Sequence, residues 1–403
     1  MRLSLRRVAS GSATLAGLTL LLLAGCTDSQ GRKPVTPADP VSLARGGPAG
    51  VQRVTVAPAS ISRDPGQTAQ FTATALDRKG TVVTGITFSW ASSAPTIATV
   101  SGAGLVTAVT PGTATISATG GGKTGTASIT VTTPPPPPGS QTIVAAGDIA
   151  QCNNSNDEAT ALLVDDIPGT VAVLGDNVYE NGSATEYANC YAPSWGRHKA
   201  RTRPSVGNHE YQTANASGYY GYFGSAAGDP GTGYYSYDLG DWHVVVLNSN
   251  CSIVSCAAGS AQEQWLRADL AANTKSCTLA YFHHPRFNSG ASHGNSTAVG
   301  PFWDALFDYN ADVILNGHEH LYERFAPQTP TAVSDVARGI RQFTVGTGGR
   351  SFYSIGTIQP NSEIRNNATY GVLRLTLGAG TYSWQFVPIA GMTFTDSGSS
   401  NCH

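Results

Sequence analysis

Four short apolar runs, each handing over to a carboxylate or an imidazole, constrain this sequence more than any other feature. Thr142 to Ala146 leads to Asp148, Val171 to Leu174 to Asp176, Leu279 to Phe282 to His283, and Val313 to Leu315 to His318 and His320. Runs of this length read as buried strands, and in open α/β sheets ligand-bearing side chains gather beyond the carboxyl ends of the strands. Residues far apart in the chain are therefore expected at one sheet edge. Helical patterns lie between the strands, at Asp157 to Asp166, at Ser260 to Ala272 behind a Ser260-Ala261-Gln262-Glu263 capping box, and at Val299 to Tyr309. Strand alternating with helix predicts a layered α/β architecture.

The blocks around these residues are Gly175-Asp176-Asn177-Val178-Tyr179, Gly207-Asn208-His209-Glu210, His283-His284-Pro285 and Gly317-His318-Glu319-His320-Leu321-Tyr322-Glu323-Arg324. Imidazole, carboxylate, amide and phenolate donors suit iron, zinc or manganese better than calcium or copper(I). A pair of such ions stabilises both the attacking and the leaving oxygen of an in-line displacement at phosphorus. In composition and order the blocks resemble the calcineurin-like metallophosphoesterase superfamily, and within it the purple acid phosphatases, over residues 141 to 403. The resemblance implies a β-sandwich flanked by helices. It implies that Asp148, Asp176, Tyr179 and His320 hold one metal and that Asp176, Asn208, His283 and His318 hold the other. Asp176 then bridges the pair, as a carboxylate with two oxygens can. His318 and His320, two apart, need an irregular loop to face one centre, and Gly317 is expected to supply the freedom. A water acidified between the two ions would be the nucleophile.

One position departs from the pattern. Where many members of the superfamily carry a first-motif histidine, and purple acid phosphatases a glycine, this chain has Ala150. Tyr179 is then the remaining ligand, and its hard phenolate favours iron(III) paired with zinc, manganese or iron(II); the alternative is that Tyr179 packs beside the site. His209 and His293 resemble the histidines that flank the substrate in purple acid phosphatases, the first hydrogen-bonding a phosphate oxygen and the second protonating the leaving alkoxide. His284 is expected to pack locally, Arg324 to anchor Glu323 or backbone carbonyls, and Gly346-Thr347-Gly348-Gly349 to form a tight turn near the cleft, since it lacks the Lys-Ser/Thr of a phosphate loop.

Export is written at the N-terminus. Arg2, Arg6 and Arg7 precede an apolar stretch from Thr14 to Ala24 that is too short to span a membrane. Leu23-Ala24-Gly25-Cys26 resembles a bacterial lipobox, which implies a leader over 1–26 and a lipid anchor on Cys26 at the cell envelope. Six of the seven cysteines fall beyond residue 150, an even set that leaves Cys26 over. Cys251 with Cys256, Cys152 with Cys190 and Cys277 with Cys402 are the expected pairs, and their spacings fit no zinc motif.

Residues 27–50 suit a flexible tether. Residues 51–132 alternate β-branched and small residues with regular turn signals and read as a small all-β sandwich. Trp90-Ala91-Ser92-Ser93 and Ala98-Thr99-Val100-Ser101 to Gly104-Leu105-Val106 resemble bacterial group 2 immunoglobulin-like domains, used as a spacer or for cell-surface or glycan contact. Residues 133–140 form a proline-rich linker, and 141–403 the catalytic domain, whose last stretch, Gly371 to Pro388, reads as a hairpin turning at Gly378-Ala379-Gly380. The chain carries 24 Lys and Arg against 26 Asp and Glu, so it presents no basic footprint for nucleic acid. The expected activity is that of an exported phosphomonoesterase on small phosphoesters. A phosphodiesterase or nucleotidase using the same centre is the alternative, and an adhesin with an inert hydrolase-like domain is the alternative of another class.

Overall fold

The computed structural model describes residues 50–132 and 138–403. The leader, the lipobox cysteine, the tether up to residue 49 and most of the proline spacer lie outside the described residues.

Residues 53–131 form a small sandwich. One sheet orders Ser60–Arg63, Lys123–Val131, Gly112–Gly120 and Ser89–Ser92, a second orders Thr68–Gln70, Leu105–Ala108 and Ala98–Val100, and Arg53–Ala57 pairs with Thr72–Leu76. The period-2 pattern explains the layering. Ala114, Ile116 and Ala118 on one strand and Ala127, Ile129 and Val131 on its neighbour point inward onto Phe71 and Val106, while the residues between them are exposed or half-buried.

The second region packs two mixed sheets face to face. The six-stranded sheet orders Thr202–Ser205, Thr170–Leu174, Gln141–Ala146, Gly371–Gly378, Thr381–Pro388 and Ser397–Asn401. The seven-stranded sheet orders Tyr235–Leu239, Trp242–Val246, Cys277–Tyr281, Val313–Asn316, Arg341–Val345, Tyr322–Phe325 and Ser362–Asn366. Its central strands are parallel and buried along their whole length because both faces are covered. Val244 and Val246 enter the core between the sheets, whereas Val245 and Leu247 lie under the helices Ala261–Ala272 and Gly300–Asp308, against Leu266, Phe302 and Trp303. Both sheets therefore present the carboxyl ends of parallel strands at one rim.

Two local features differ from expectation. The strand Thr202–Ser205, which delivers the Asn208 block, has the sequence Thr-Arg-Pro-Ser and carries no apolar run. It is the edge strand of its sheet, where a proline is tolerated. The expected capping box at Ser260 is half formed: Ser260 Oγ accepts from the Glu263 N–H, but the Glu263 carboxylate turns to the Gly259 N–H and Arg267 instead. A complete box stands at Ser183 and Glu186. The predicted hairpin forms from Gly371–Gly378 and Thr381–Pro388, and the three cysteine pairs are Cys152–Cys190, Cys251–Cys256 and Cys277–Cys402.

Candidate metal centre

The seven side chains named as ligands meet at the shared rim of the two sheets. Asp148 follows Gln141–Ala146, Asp176 follows Thr170–Leu174, Asn208 follows Thr202–Ser205, His283 follows Cys277–Tyr281, and His318 and His320 follow Val313–Asn316. Three of these residues hold left-handed backbone, Asp148 at φ 59°, Asp176 at 48° and His318 at 69°. For non-glycine residues this conformation is sparsely populated and persists where the surroundings over-determine it, as at functional sites. The irregularity expected at Gly317 therefore sits on His318. Gly317 is required for a different reason: a Cβ there would stand 2.7 Å from the Leu174 carbonyl and 2.8 Å from Asp148 Oδ2. The Gly346 to Gly349 run is buried, and a Cβ on Gly346 would meet the Glu319 carbonyl and Asp148.

The donors fall into two sets that share one oxygen. In the first, the Tyr179 hydroxyl lies 2.9 Å from Asp148 Oδ1, 3.2 Å from Asp176 Oδ2 and 3.2 Å from His320 Nε2. In the second, His283 Nε2 lies 3.2 Å from the same Asp176 Oδ2, 3.1 Å from Asn208 Oδ1 and 3.2 Å from His318 Nδ1. Asp176, His283 and His318 each bring a ligand atom within 4.8 Å of the others.

Whether this arrangement fits cations can be judged from the protons. His283 donates its Nδ1–H to the Leu174 carbonyl at 2.8 Å, and His320 donates its own to the Ser351 carbonyl at 2.7 Å. A neutral ring in either place then aims the Nε2 lone pair at carboxylate or amide oxygens, an arrangement of acceptors that needs a positive charge between them. Without one, protons fill the gap. Burial disfavours a charged His283, yet the Asp176 carboxylate lifts it to about 9, and Asp148 raises His320 in the same way. Asp176 is held well below the carboxylate range by His283 and His209 against the opposing effect of burial. Burial and the neighbouring His283 push His318 far down. Burial, with Asp148 and Asp176 alongside, drives the Tyr179 phenol far above its ordinary value, so a phenolate there requires a bound cation. The donor sets therefore fit cations: Asp148, Tyr179 and His320 would hold one and Asn208, His283 and His318 another, with Asp176 within reach of both sets.

Acidic residues inside the quoted blocks hold this frame, and their roles were missed in the sequence. The buried Glu210 carboxylate accepts the backbone N–H groups of Asp176 at 3.1 Å, Asn177 at 2.8 Å and Gly207 at 2.7 Å, and the Tyr187 hydroxyl at 3.2 Å. Burial and the adjacent Asp176 raise its pKa. Buried Glu319 accepts from Asn288 Nδ2 at 2.9 Å, from the Ser292 N–H at 3.2 Å and from His293 Nδ1 at 3.1 Å. A charged residue beside a ligand reads in sequence as solvated; its partners appear only once the loops meet.

His293 is brought to the site, its ring centroid 4.1 Å from that of His318. His209 places its Nδ1 2.6 Å from the Glu180 carbonyl and its Nε2 3.9 Å from Asp176 Oδ2. His284 hydrogen-bonds Ser249 Oγ at 2.8 Å, as expected of a packing residue. Arg324 keeps the structural role foreseen but with other partners: it binds Asp396 through Nε at 2.7 Å and pairs with Glu363, while Glu323 accepts from the Ser289 N–H and Ser362. Tyr353 stacks on His320 at 4.0 Å and 14°.

Comparison with known proteins places this geometry. Residues 141–322 match the calcineurin-like phosphoesterases and residues 50–131 the bacterial Ig-like domains of group 2. Purple acid phosphatase 15 of Arabidopsis thaliana is 26% identical over 218 residues, covering 45% of this chain and 40% of the relative. Purple acid phosphatase 1 of Ipomoea batatas is 28% identical over 242 residues, covering 51% and 49%. The chain thus spans less than half the length of these curated relatives. Among solved structures, the purple acid phosphatase from yellow lupin (Lupinus luteus) seeds shares the fold at a TM-score of 0.51 and 16% identity, over 86% of this chain and 69% of that one. Residues 141–322 are thus similar to the calcineurin-like phosphoesterases, with a stretch similar to the group 2 bacterial Ig-like domains ahead of them.

Proposed function

We propose that this chain is a metal-dependent phosphoester hydrolase acting on small phosphomonoesters outside the cytoplasm. The observation that carries the reading is the pair of donor sets sharing Asp176 Oδ2, with Asp148, Tyr179 and His320 on one side and Asn208, His283 and His318 on the other. Two cations held there would polarise the phosphoryl oxygens and acidify a water, and a Tyr179 phenolate would favour iron(III) paired with zinc, manganese or iron(II).

The remaining chemistry belongs to side chains. Glu319 accepts from His293 Nδ1 and so holds that ring beside His318. His293 then offers Nε2–H to the departing ester oxygen. His209 donates Nδ1–H to the Glu180 carbonyl and can donate to a phosphate oxygen through Nε2 only as an imidazolium.

Export is supported by the three disulfides, which persist in oxidising compartments. Among the described residues no helix is long and apolar enough to cross a membrane. We assign anchoring to lipid on Cys26, and the Ig-like domain, for which no ligand-bearing site is visible, to a spacer role. The test is turnover of p-nitrophenyl phosphate against its bis ester by purified protein, with metal analysis. Hydrolysis should track two metal equivalents and disappear on chelation, returning on metal addition. Turnover that survives complete metal removal would refute the assignment.

A further inference from the structure

Beside the first donor set lies a cation with no role in holding metal. Arg350 directly follows the buried glycine run, and its backbone N–H donates to the Asp148 carbonyl at 2.9 Å. Its guanidinium carbon stands 4.7 Å from the centroid of the Tyr179 ring, whose hydroxyl points into the donors. The side chain is only 21% exposed, and Nη1 pairs with Glu180 Oε1 at 2.7 Å. Glu180 is 50% exposed and also accepts from Gln151 Nε2 at 3.2 Å. A guanidinium carries five N–H donors in a planar fork. Among the described residues Glu180 is the one acceptor of this fork, so several donors remain uncommitted. An ion pair open to solvent on its carboxylate side contributes little to stability, and the half-exposed Glu180 carboxylate can give way to another oxyanion.

We propose that Arg350 binds the second negative charge of a phosphate monoester, and that Glu180 is the carboxylate it releases to do so. The inference rests on the phosphoester reading above and extends it to the charge class of the substrate. A monoester dianion has three unesterified oxygens, so two can face the donor sets while the third is left for the guanidinium. A diester monoanion has an ester group in that place. The planar fork matches a phosphoryl group bidentately, which a lysine at the same position could not do. Glu180 competes with substrate for the same donors and sets the occupancy of the site.

Opposite shifts from two substitutions test this. Arg350→Ala should raise KM for p-nitrophenyl phosphate roughly tenfold, the effect of one charge-assisted pair, and leave KM for the bis ester within about twofold. Arg350→Lys should fall between. Glu180→Gln, which keeps the backbone carbonyl used by His209, should lower the monoester KM about two- to threefold, in line with an exposed pair. An unchanged monoester-to-diester KM ratio in Arg350→Ala, or a raised monoester KM in Glu180→Gln, overturns the proposal. Should Arg350→Ala lose metal through its contact with Tyr179, the Glu180→Gln result decides alone. A metal-loaded wild type that hydrolyses neither ester sinks the phosphoester reading itself.

Discussion

Glu210→Gln isolates what holds the centre together without touching a ligand. In the native chain one carboxylate oxygen accepts from Asp176 and Gly207, and the other from Asn177 and the Tyr187 hydroxyl, with the Val178 N–H at 3.4 Å. The amide of glutamine has the same shape but a single acceptor, so whichever way it turns, its NH2 faces backbone donors. Two buried N–H groups lose their partner. Each such loss costs about 1–3 kcal/mol, which gives a destabilisation of about 2–6 kcal/mol. For a domain of this size that is a fall in Tm of roughly 5–15 °C. The strained backbone at Asp176, φ 48°, is pinned by these same bonds. Loss of such outer support lowers metal affinity about 10- to 100-fold. The assay is thermal unfolding with and without chelator, followed by metal titration. A variant that melts within about 2 °C of wild type, below the whole range expected for two lost partners, and binds metal equally well would refute the argument.

Three further outcomes are expected. Protein purified without added metal should be coloured and contain iron, and Tyr179→Phe should bleach or strongly shift the band while leaving the fold intact; a colourless, fully active wild type carrying only zinc or manganese would make Tyr179 a packing residue. His243 stands between Asp238 at 3.0 Å and Asp269 at 2.8 Å, with Lys275 on the far side of Asp238, and the two carboxylates raise its pKa against the effect of burial. A raised folded-state pKa means stability present in full below the unfolded value, about 6.5, and lost as pH rises through the folded value. His243→Gln should therefore cost more in urea midpoint at pH 5.5 than at pH 8.5, and an equal loss at both would contradict the linkage. Cys26→Ser should release the protein from membranes with turnover intact, whereas retention under high salt would exclude the lipid anchor.

The ligand loops were legible because their cause is local. A run such as Leu279 to Phe282 is apolar on both faces and can only be a covered strand, and the residue that ends it lies at the sheet rim. The Cys251–Cys256 pair and the Gly371 to Pro388 hairpin yielded to the same kind of reasoning. Thr202–Ser205 did not, since an edge strand with Arg203 and Pro204 shows no burial period. Arg324 was placed correctly as structural yet assigned the wrong partner, because Asp396 lies 72 residues on and Glu363 39.

What this sequence determined by itself is the inventory and order of donors, and the strands that carry them to one edge, since burial periodicity and residue chemistry are properties of short segments. Tertiary structure alone decided which charge compensates which. Glu210 became the support of the Asp176 loop, Glu319 the partner of His293 and Arg350 the cation over Tyr179. A buried or half-buried charge is stable only beside its counter-group or its hydrogen bonds, and which group that is depends on distant loops meeting in space.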